Sequence, residues 1–510
     1  MRTLLVILPG LLALTAAPAQ AQLWPDAADA ALRRDVELLA AYGRISGPVT
    51  TWPLAWAQLT QLLDAPARAR ASAAGGAPGD GDPRAVAAPL PPHVRRAEAR
   101  VRAAAGARAR PGETHLLIAG GAGRRDPLMG SADGGLRQDA ELQAALHHAA
   151  GGRVHLRLAG TWREDQRGRD VTLDGTHAAV RLGNWAAWAG SAEEWWGGGW
   201  DGALVLSTNA RPLPRVGVRR LVPAPLDLPV LRWLGPWSLS ASLGRQEEDR
   251  EVSHPVVLLT RLAIRPVRWL DLGFSRGIQI CGEGRACGLD RWVKALVGVG
   301  DLDNTGDSAE DPSNQLAAVD ARVAGRVGPW AWAAYGELMG EDQGAFLLKA
   351  VSALGGVVLE GYAPALDAGW RLRLEAADTR AGSVFGLSDP QLRTTYNHFI
   401  YRDGWSYQGR TLGHSLDTDS RLLTAEALVT DAAGRAYRVG FRHVLLNTSA
   451  SARHKLSDSP ETVRVLEAGV EIPLAWGTAR GDLAFQDDQP DTPGVRDTTV
   501  RAEVGWRLRF

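Results

Sequence analysis

Between Val500 and Phe510, the residues Val500, Ala502, Val504, Trp506, Leu508 and Phe510 alternate strictly with Arg501, Glu503, Gly505, Arg507 and Arg509. Successive side chains of an extended chain point to opposite faces, so this stretch makes a strand with one apolar and one charged face. A soluble sandwich would lay the apolar face on a core and the charged face in water. A membrane barrel would lay the apolar face on lipid and turn the charged face into its lumen. The terminal aromatic favours the barrel, because Phe510 resembles the ending read by the outer-membrane insertion machinery.

The same alternation recurs from about His115 onward. Val154, Leu156 and Leu158 interleave with His155, Arg157 and Ala159. Trp237, Leu239, Ala241 and Leu243 interleave with Ser238, Ser240, Ser242 and Gly244, and Leu270, Leu272 and Phe274 with Asp271, Gly273 and Ser275. The second set is small, polar or charged, which suits a wet lumen with room for a plug or ligand. Residues 111–510, at about 10 per strand plus turns, allow on the order of 16 to 20 strands. Trp185, Trp188, Trp233, Trp237, Trp269, Trp292 and Trp506 fall near strand ends or on lipid faces, where aromatic girdles sit.

Residues 1–21 carry Arg2, an apolar run from Leu4 to Ala16, and small residues at Ala19 and Ala21, which reads as a cleaved secretory signal. Pro9 and Gly10 interrupt the run, and it falls short of the roughly 18 to 20 residues of a spanning helix. With no comparable run later, the mature chain either is soluble or crosses a membrane as strands. Residues 22–110 read as a helical region: Asp26 to Gly43, Pro53 to Asp64 and His93 to Arg110, with an Ala/Gly/Pro-rich linker from Ala65 to Pro92. This part has too few large apolar residues to hold its own core, so it must pack on the domain that follows.

Lys and Arg together number 57, balanced by 57 Asp and Glu, so no excess charge invites nucleic acid. Lys294, Lys349 and Lys455 are the lysines, and the rest are Arg, the side chain that grips carboxylates in two-point fashion. Cys281 and Cys287 flank a small glycine-bearing loop and, in an oxidising compartment, predict one local disulfide. Asp301, Asp303, Thr305 and Asp307 resemble the start of a calcium loop, but its twelfth position is Pro312 where a two-point Glu is needed, so no metal site and no cofactor is assigned. Glu193 and Glu194 point to opposite faces of an extended segment and cannot pair as acid and base. Neither can the adjacent His414, Ser415 and Asp417 make a triad, although Asn397 or His398 could meet Ser415 across strands in a hydrolase.

Arg34 to Ala40 with Thr51-Trp52-Pro53-Leu54, Gly183-Asn184-Trp185, Glu194-Trp195-Trp196-Gly197 with Trp200-Asp201-Gly202, and Asn209-Ala210-Arg211-Pro212 are similar to segments of the capsule assembly protein Wzi family. Further on come Trp233-Leu234-Gly235-Pro236-Trp237, the Cys281 to Leu289 loop, Asp311 to Leu316, Tyr396-Asn397-His398 with Tyr401, Gly404-Trp405, and Gly409 to Ser415. The resemblance implies an all-β transmembrane barrel of about 18 antiparallel strands in the outer membrane of a Gram-negative bacterium, with a small N-terminal helical bundle on its periplasmic side. It implies a monomeric, non-enzymatic lectin that anchors capsular or other surface polysaccharide. Candidate polysaccharide contacts are Trp195, Trp196, Trp200, Arg402, Trp405, Tyr407, Arg410 and His414, with aromatic rings for pyranose faces and Arg for uronate carboxylates. The alternatives are a channel for a polar or anionic solute and an outer-membrane hydrolase.

Overall fold

A computed structural model describes residues 22–27, 29–45, 47–60, 90–107, 112–121, 139–165, 168–297, 313–341, 350–490 and 498–509. The segment 1–21 read as a secretory signal, most of the Ala65 to Pro92 linker, the loop from Asp301 to Pro312 and Phe510 lie outside these residues.

Among the described residues, nineteen antiparallel strands close into one barrel. Gly168–Thr172 and His177–Leu182 lie end to end against Val154–Asp165, so they share one position and the wall has 18. The strand Gly112–Gly121 pairs with Ala140–Ala150 on one side and with Thr498–Arg509 on the other, which closes the ring and leaves no free edge.

The period-2 pattern decides which face meets what. Outward positions are apolar and open, as at Val357, Leu374, Leu466 (55% exposed) and Val504 (66%). Their inward neighbours are buried and charged or hydroxylic, such as Arg261, Arg373, Glu375 and Ser240. A wide apolar outer surface with a polar interior is the inverse of a soluble protein, and it matches a wall bathed in acyl chains. Short turns gather at one end, the periplasmic end by the rule for such barrels. Tryptophans ring that end: Trp330 with Trp370 (ring centroids 6.3 Å apart), Trp476 with Trp506 (5.9 Å) and Trp185 with Trp237 (6.2 Å). Trp188 differs from its expected place on a lipid face. It points inward, 5% exposed, beneath the Arg215 guanidinium.

Two helices sit at the periplasmic end. Helix α1 (Ala30–Ala41) starts at Asp29, whose carboxylate accepts from the Leu32 amide at 3.0 Å, and ends at Gly43 with φ +66°. Helix α2 (Pro92–Ala107) packs on it through Val94, Ala97 and Val101, and the pair is tied by Arg100 to Asp35 (2.7 Å) and Arg44 to Glu98 (3.1 Å). Val36 and Leu39 of α1 join one continuous core with inward residues of the wall, so the helices do use the barrel interior as their partner. Between them, Pro53 does not begin a helix. Trp52 pairs with Trp195 in a two-residue strand, and helix begins only at residue 56.

Putting a charge on the outer face tests the inside-out assignment. Leu466→Arg should lower folding stability in a bilayer by roughly 2–4 kcal/mol, as expected near the membrane midplane. Urea titration of the barrel folded into lipid vesicles would read this, and an unchanged midpoint would count against lipid at that face.

Candidate functional site

Residues 191–214, which carry the Glu-Trp-Trp-Gly-Gly-Gly-Trp-Asp-Gly run, fold into the lumen instead of lying on the surface. Such an irregular segment brings many backbone N–H and C=O groups out of water, and each needs a partner. The wall supplies them. Glu375 accepts from the amides of Trp200 and Asp201, both at 2.8 Å, and from the Tyr335 hydroxyl at 2.5 Å. Glu337 accepts from the Leu204 amide (3.2 Å). Arg215 donates to Ala192 O (2.7 Å) and Arg33 of α1 donates to the carbonyls of Gly198 and Gly199 (3.1 and 2.9 Å).

The glycines are there for space. A Cβ on Gly199 would lie 2.2 Å from Gly202 O, and one on Gly202 would lie 2.0 Å from the His414 ring.

A second segment comes from the opposite, long-loop end, residues 379–420, and zips onto the first. Ser207 N donates to Leu412 O (2.8 Å), Ser207 Oγ to Gly413 O (2.6 Å), Asn209 Nδ2 to Thr411 O (3.0 Å) and the Trp405 indole N–H to Val205 O (2.8 Å). Tyr396, at φ +62°, has its amide held by Glu341 (2.7 Å), and its hydroxyl donates to Leu204 O (2.7 Å) while accepting from the His414 amide (2.9 Å). Asn397 Nδ2 donates to Thr395 O and His398 Nδ1 accepts from the amides of Ile400 and Tyr401, so these side chains brace the loop. Cys281 and Cys287 form a disulfide, and Tyr401 donates to Cys281 O at 3.1 Å.

At the heart of the junction Asp201 is fully enclosed between Arg373 (2.6 Å) and Arg442 (3.0 Å). Burial pushes its carboxyl up, but the two guanidiniums outweigh that and hold it well below the ordinary 3.8. Arg373 also reaches Glu375 and Glu426, and Arg442 reaches Glu467 at 2.5 Å.

The eight candidate sugar contacts therefore separate into two groups. Trp195, Trp196, Trp200, Trp405 and His414 are enclosed, each at most 1% exposed, with their ring faces covered by protein. Indoles with Glu and Asp nearby read alike whether they meet a sugar or a plug; here Trp200 stacks under Arg33 and Arg371, both 4.4 Å from its ring centroid. At the long-loop end Arg402 is exposed, and Tyr407 and Arg410 are half-buried. Tyr407 and Arg410 face each other across the hairpin Ser406–Tyr407 and Arg410–Thr411, whose turn residues Gln408 (φ 50°) and Gly409 (φ 77°) are both left-handed. Arg250 fixes the base of this hairpin through Gly404 O (2.8 Å) and Ser406 O (2.9 Å), and Gln408 N donates to Glu247 (3.2 Å). Arg211, the one basic residue of the Asn-Ala-Arg-Pro segment, stands near Tyr407 and is held by Asp174 (2.8 Å) and Asp170 (3.2 Å). Nothing in the residue order gives Arg211 a role, because only the loop packing brings it beside the hairpin.

Two perturbations probe this junction. Asp201→Asn leaves two buried guanidiniums undercompensated and should cost roughly 3–5 kcal/mol in urea unfolding of the detergent-folded protein. Burial also pushes the His414 imidazole down from 6.5 to about 4, only partly countered by Asp201. The folded state thus binds that proton less tightly than the unfolded chain, and stability should fall as pH drops from 6.5 towards 4. His414→Gln should flatten that part of the stability profile, and a slope unchanged by the substitution would remove His414 as its source.

With this geometry in hand, the chain can be compared with known proteins. The family model for capsule assembly protein Wzi matches residues 122–473. A Klebsiella pneumoniae protein, an uncharacterized 55.8 kDa protein in the cps region, is 32% identical over 223 residues, 42% of this chain and 41% of that protein. That match spans less than half the length of the relative. The solved structure of Wzi, an outer membrane protein involved in group 1 capsule assembly in Escherichia coli and a carbohydrate-binding β-barrel, superposes with a TM-score of 0.76. It covers 94% of this chain and 98% of its own at 23% identity, a likeness of fold. The chain, by the length of the family match, belongs to the capsule assembly protein Wzi family.

Proposed function

We propose that this protein is an outer-membrane lectin that holds capsular or other surface polysaccharide at the cell surface, acting as a monomeric binder and not as a catalyst. The observation that carries the reading is the braced hairpin at the long-loop end. It presents the Tyr407 ring and the Arg410 guanidinium side by side, with Arg402 nearby on the same loop. An aromatic ring takes the apolar face of a pyranose, and guanidinium groups take hydroxyls or uronate carboxylates. Rigid presentation limits the ordering cost of binding a floppy polymer. Beneath the hairpin, the two zipped segments occupy the lumen with the indoles of Trp195, Trp196, Trp200 and Trp405, an arrangement suited to a surface platform and ill suited to a conduit. Family membership and the fold shared with a carbohydrate-binding barrel support the same reading.

Retention of polysaccharide tests it. A null strain complemented with Arg402→Ala, Tyr407→Ala and Arg410→Ala combined should shed polysaccharide to the medium at nearly the null level, with the variant barrel present at normal abundance. The purified variant should lose binding on a glycan array that retains the parent protein. Full retention by the triple variant, or stable conductance of the parent protein in planar bilayers, would overturn the reading.

A further inference from the structure

After the disulfide loop comes α3 (Leu289–Val297), a helix that neither plugs the lumen nor joins the loop cap. It lies on the outside of the wall. Along the strand Leu270–Ile280, the lumen side takes Asp271, Ser275 and Gln279, and the outer side takes Leu270, Leu272, Phe274, Arg276, Ile278 and Ile280. Ala295 of α3 joins Ile278 and Ile280 in one buried cluster, against which Trp292, Val256 and Leu258 pack, so the last outward positions of this strand are covered by the helix where the earlier ones are covered by lipid.

The rest of the helix divides sharply. Leu289 (80% exposed), Val293 (51%), Leu296 (50%) and Val297 (57%) recur at i, i+4, i+7 and i+8 and share one open face. Asp290 and Lys294 occupy the next face round. The helix thus has three sides, one on the wall, one apolar and bare, and one charged. The bare side runs on from the outward row of Phe274 and Leu272.

Arg276 gives the depth. It sits in that outward row, and its guanidinium donates to Ala295 O and Leu296 O, both at 2.6 Å, and to Gln315 Oε1. The last-turn carbonyls of a helix lack partners of their own, and here the wall provides them. A guanidinium on a lipid-facing row is costly in hydrocarbon and tolerated at the headgroup level, so this position marks the boundary of the acyl layer at the long-loop end.

We propose that α3 is an interfacial helix seated in the outer leaflet, its Leu289, Val293, Leu296 and Val297 face in the acyl chains and its Lys294 side among the headgroups. The pattern is that of helices that lie in the membrane plane with an apolar face sunk below the headgroups. Lys294 and Arg291 give it cations for anionic lipid, and the disulfide loop before it links the helix directly to the end of its strand.

Single-site labels test the seating. Cys281 and Cys287 are tied to each other, so a thiol dye placed by Val293→Cys, Leu296→Cys, Asp290→Cys or Lys294→Cys reports one position. The full chain is reconstituted in nanodiscs of phosphatidylethanolamine and phosphatidylglycerol, and folding of each variant is checked by heat-modifiable migration in SDS gels. Labels at 293 and 296 should show blue-shifted emission, quenching by nitroxide lipid and protection from aqueous iodide, and labels at 290 and 294 the reverse. Arg276→Ala should increase iodide quenching at 296 with the barrel intact. Iodide quenching at 293 and 296 in the parent background would place that face in water and overturn the proposal. Protection there from both quenchers would mean a protein partner or a second copy covers it, and would overturn it equally.

Discussion

An irregular chain enclosed by a membrane barrel has nowhere to send its backbone polar groups except to the barrel itself, and the rest of this structure follows from how the wall answers that demand. Wall carboxylates take the amides: Glu375 those of Trp200 and Asp201, Glu337 that of Leu204, Glu341 that of Tyr396. Wall guanidiniums take the carbonyls: Arg261 that of Thr50, Arg265 that of Ile45, Arg219 that of Pro53, Arg215 that of Ala192. A ring of long charged side chains lining the lumen is thereby a template for three separate segments, the N-terminal one, residues 191–214 and residues 379–420.

Such a template is selective more than it is stabilising. Taking charges out of water opposes folding, and a buried pair returns that cost only when every hydrogen-bonding position is met. Asp201 is met by Arg373 and Arg442, which in turn reach Glu375, Glu426 and Glu467, so a slip of the segment would part these charges from their partners. The hairpin bearing Tyr407 and Arg410 is held from two sides, by residues 191–214 beneath its segment and by Gln246, Glu247 and Arg250 just past the end of a wall strand.

Much of the architecture was legible from residue order. Strand alternation, the apolar outer face and the helical start were readable because periods of 2 and 3.6 are local properties. The disulfide was readable from spacing in an oxidising compartment. Residue order did not separate the eight candidate contacts into enclosed and open ones. Trp195, Trp196, Trp200 and Trp405 read as sugar platforms because an indole beside a carboxylate looks the same in a binding cleft and in a plug; which it is depends on whether the segment folds inward. Trp188 misread for the same reason, since its strand is short and both of its faces carry small residues around it.

What the chain's order determined alone is the two-faced strand, apolar at every second side chain and small, polar or charged between; that the apolar face meets lipid follows from closure into a barrel whose interior takes the charged row. What only tertiary structure decided is the division of one set of motifs into buried braces and a hairpin at the long-loop end. Burial of a loop is a matter of long-range partners, Glu375 for Trp200 across 175 residues and Val205 for Trp405 across 200, and no local period encodes such distances.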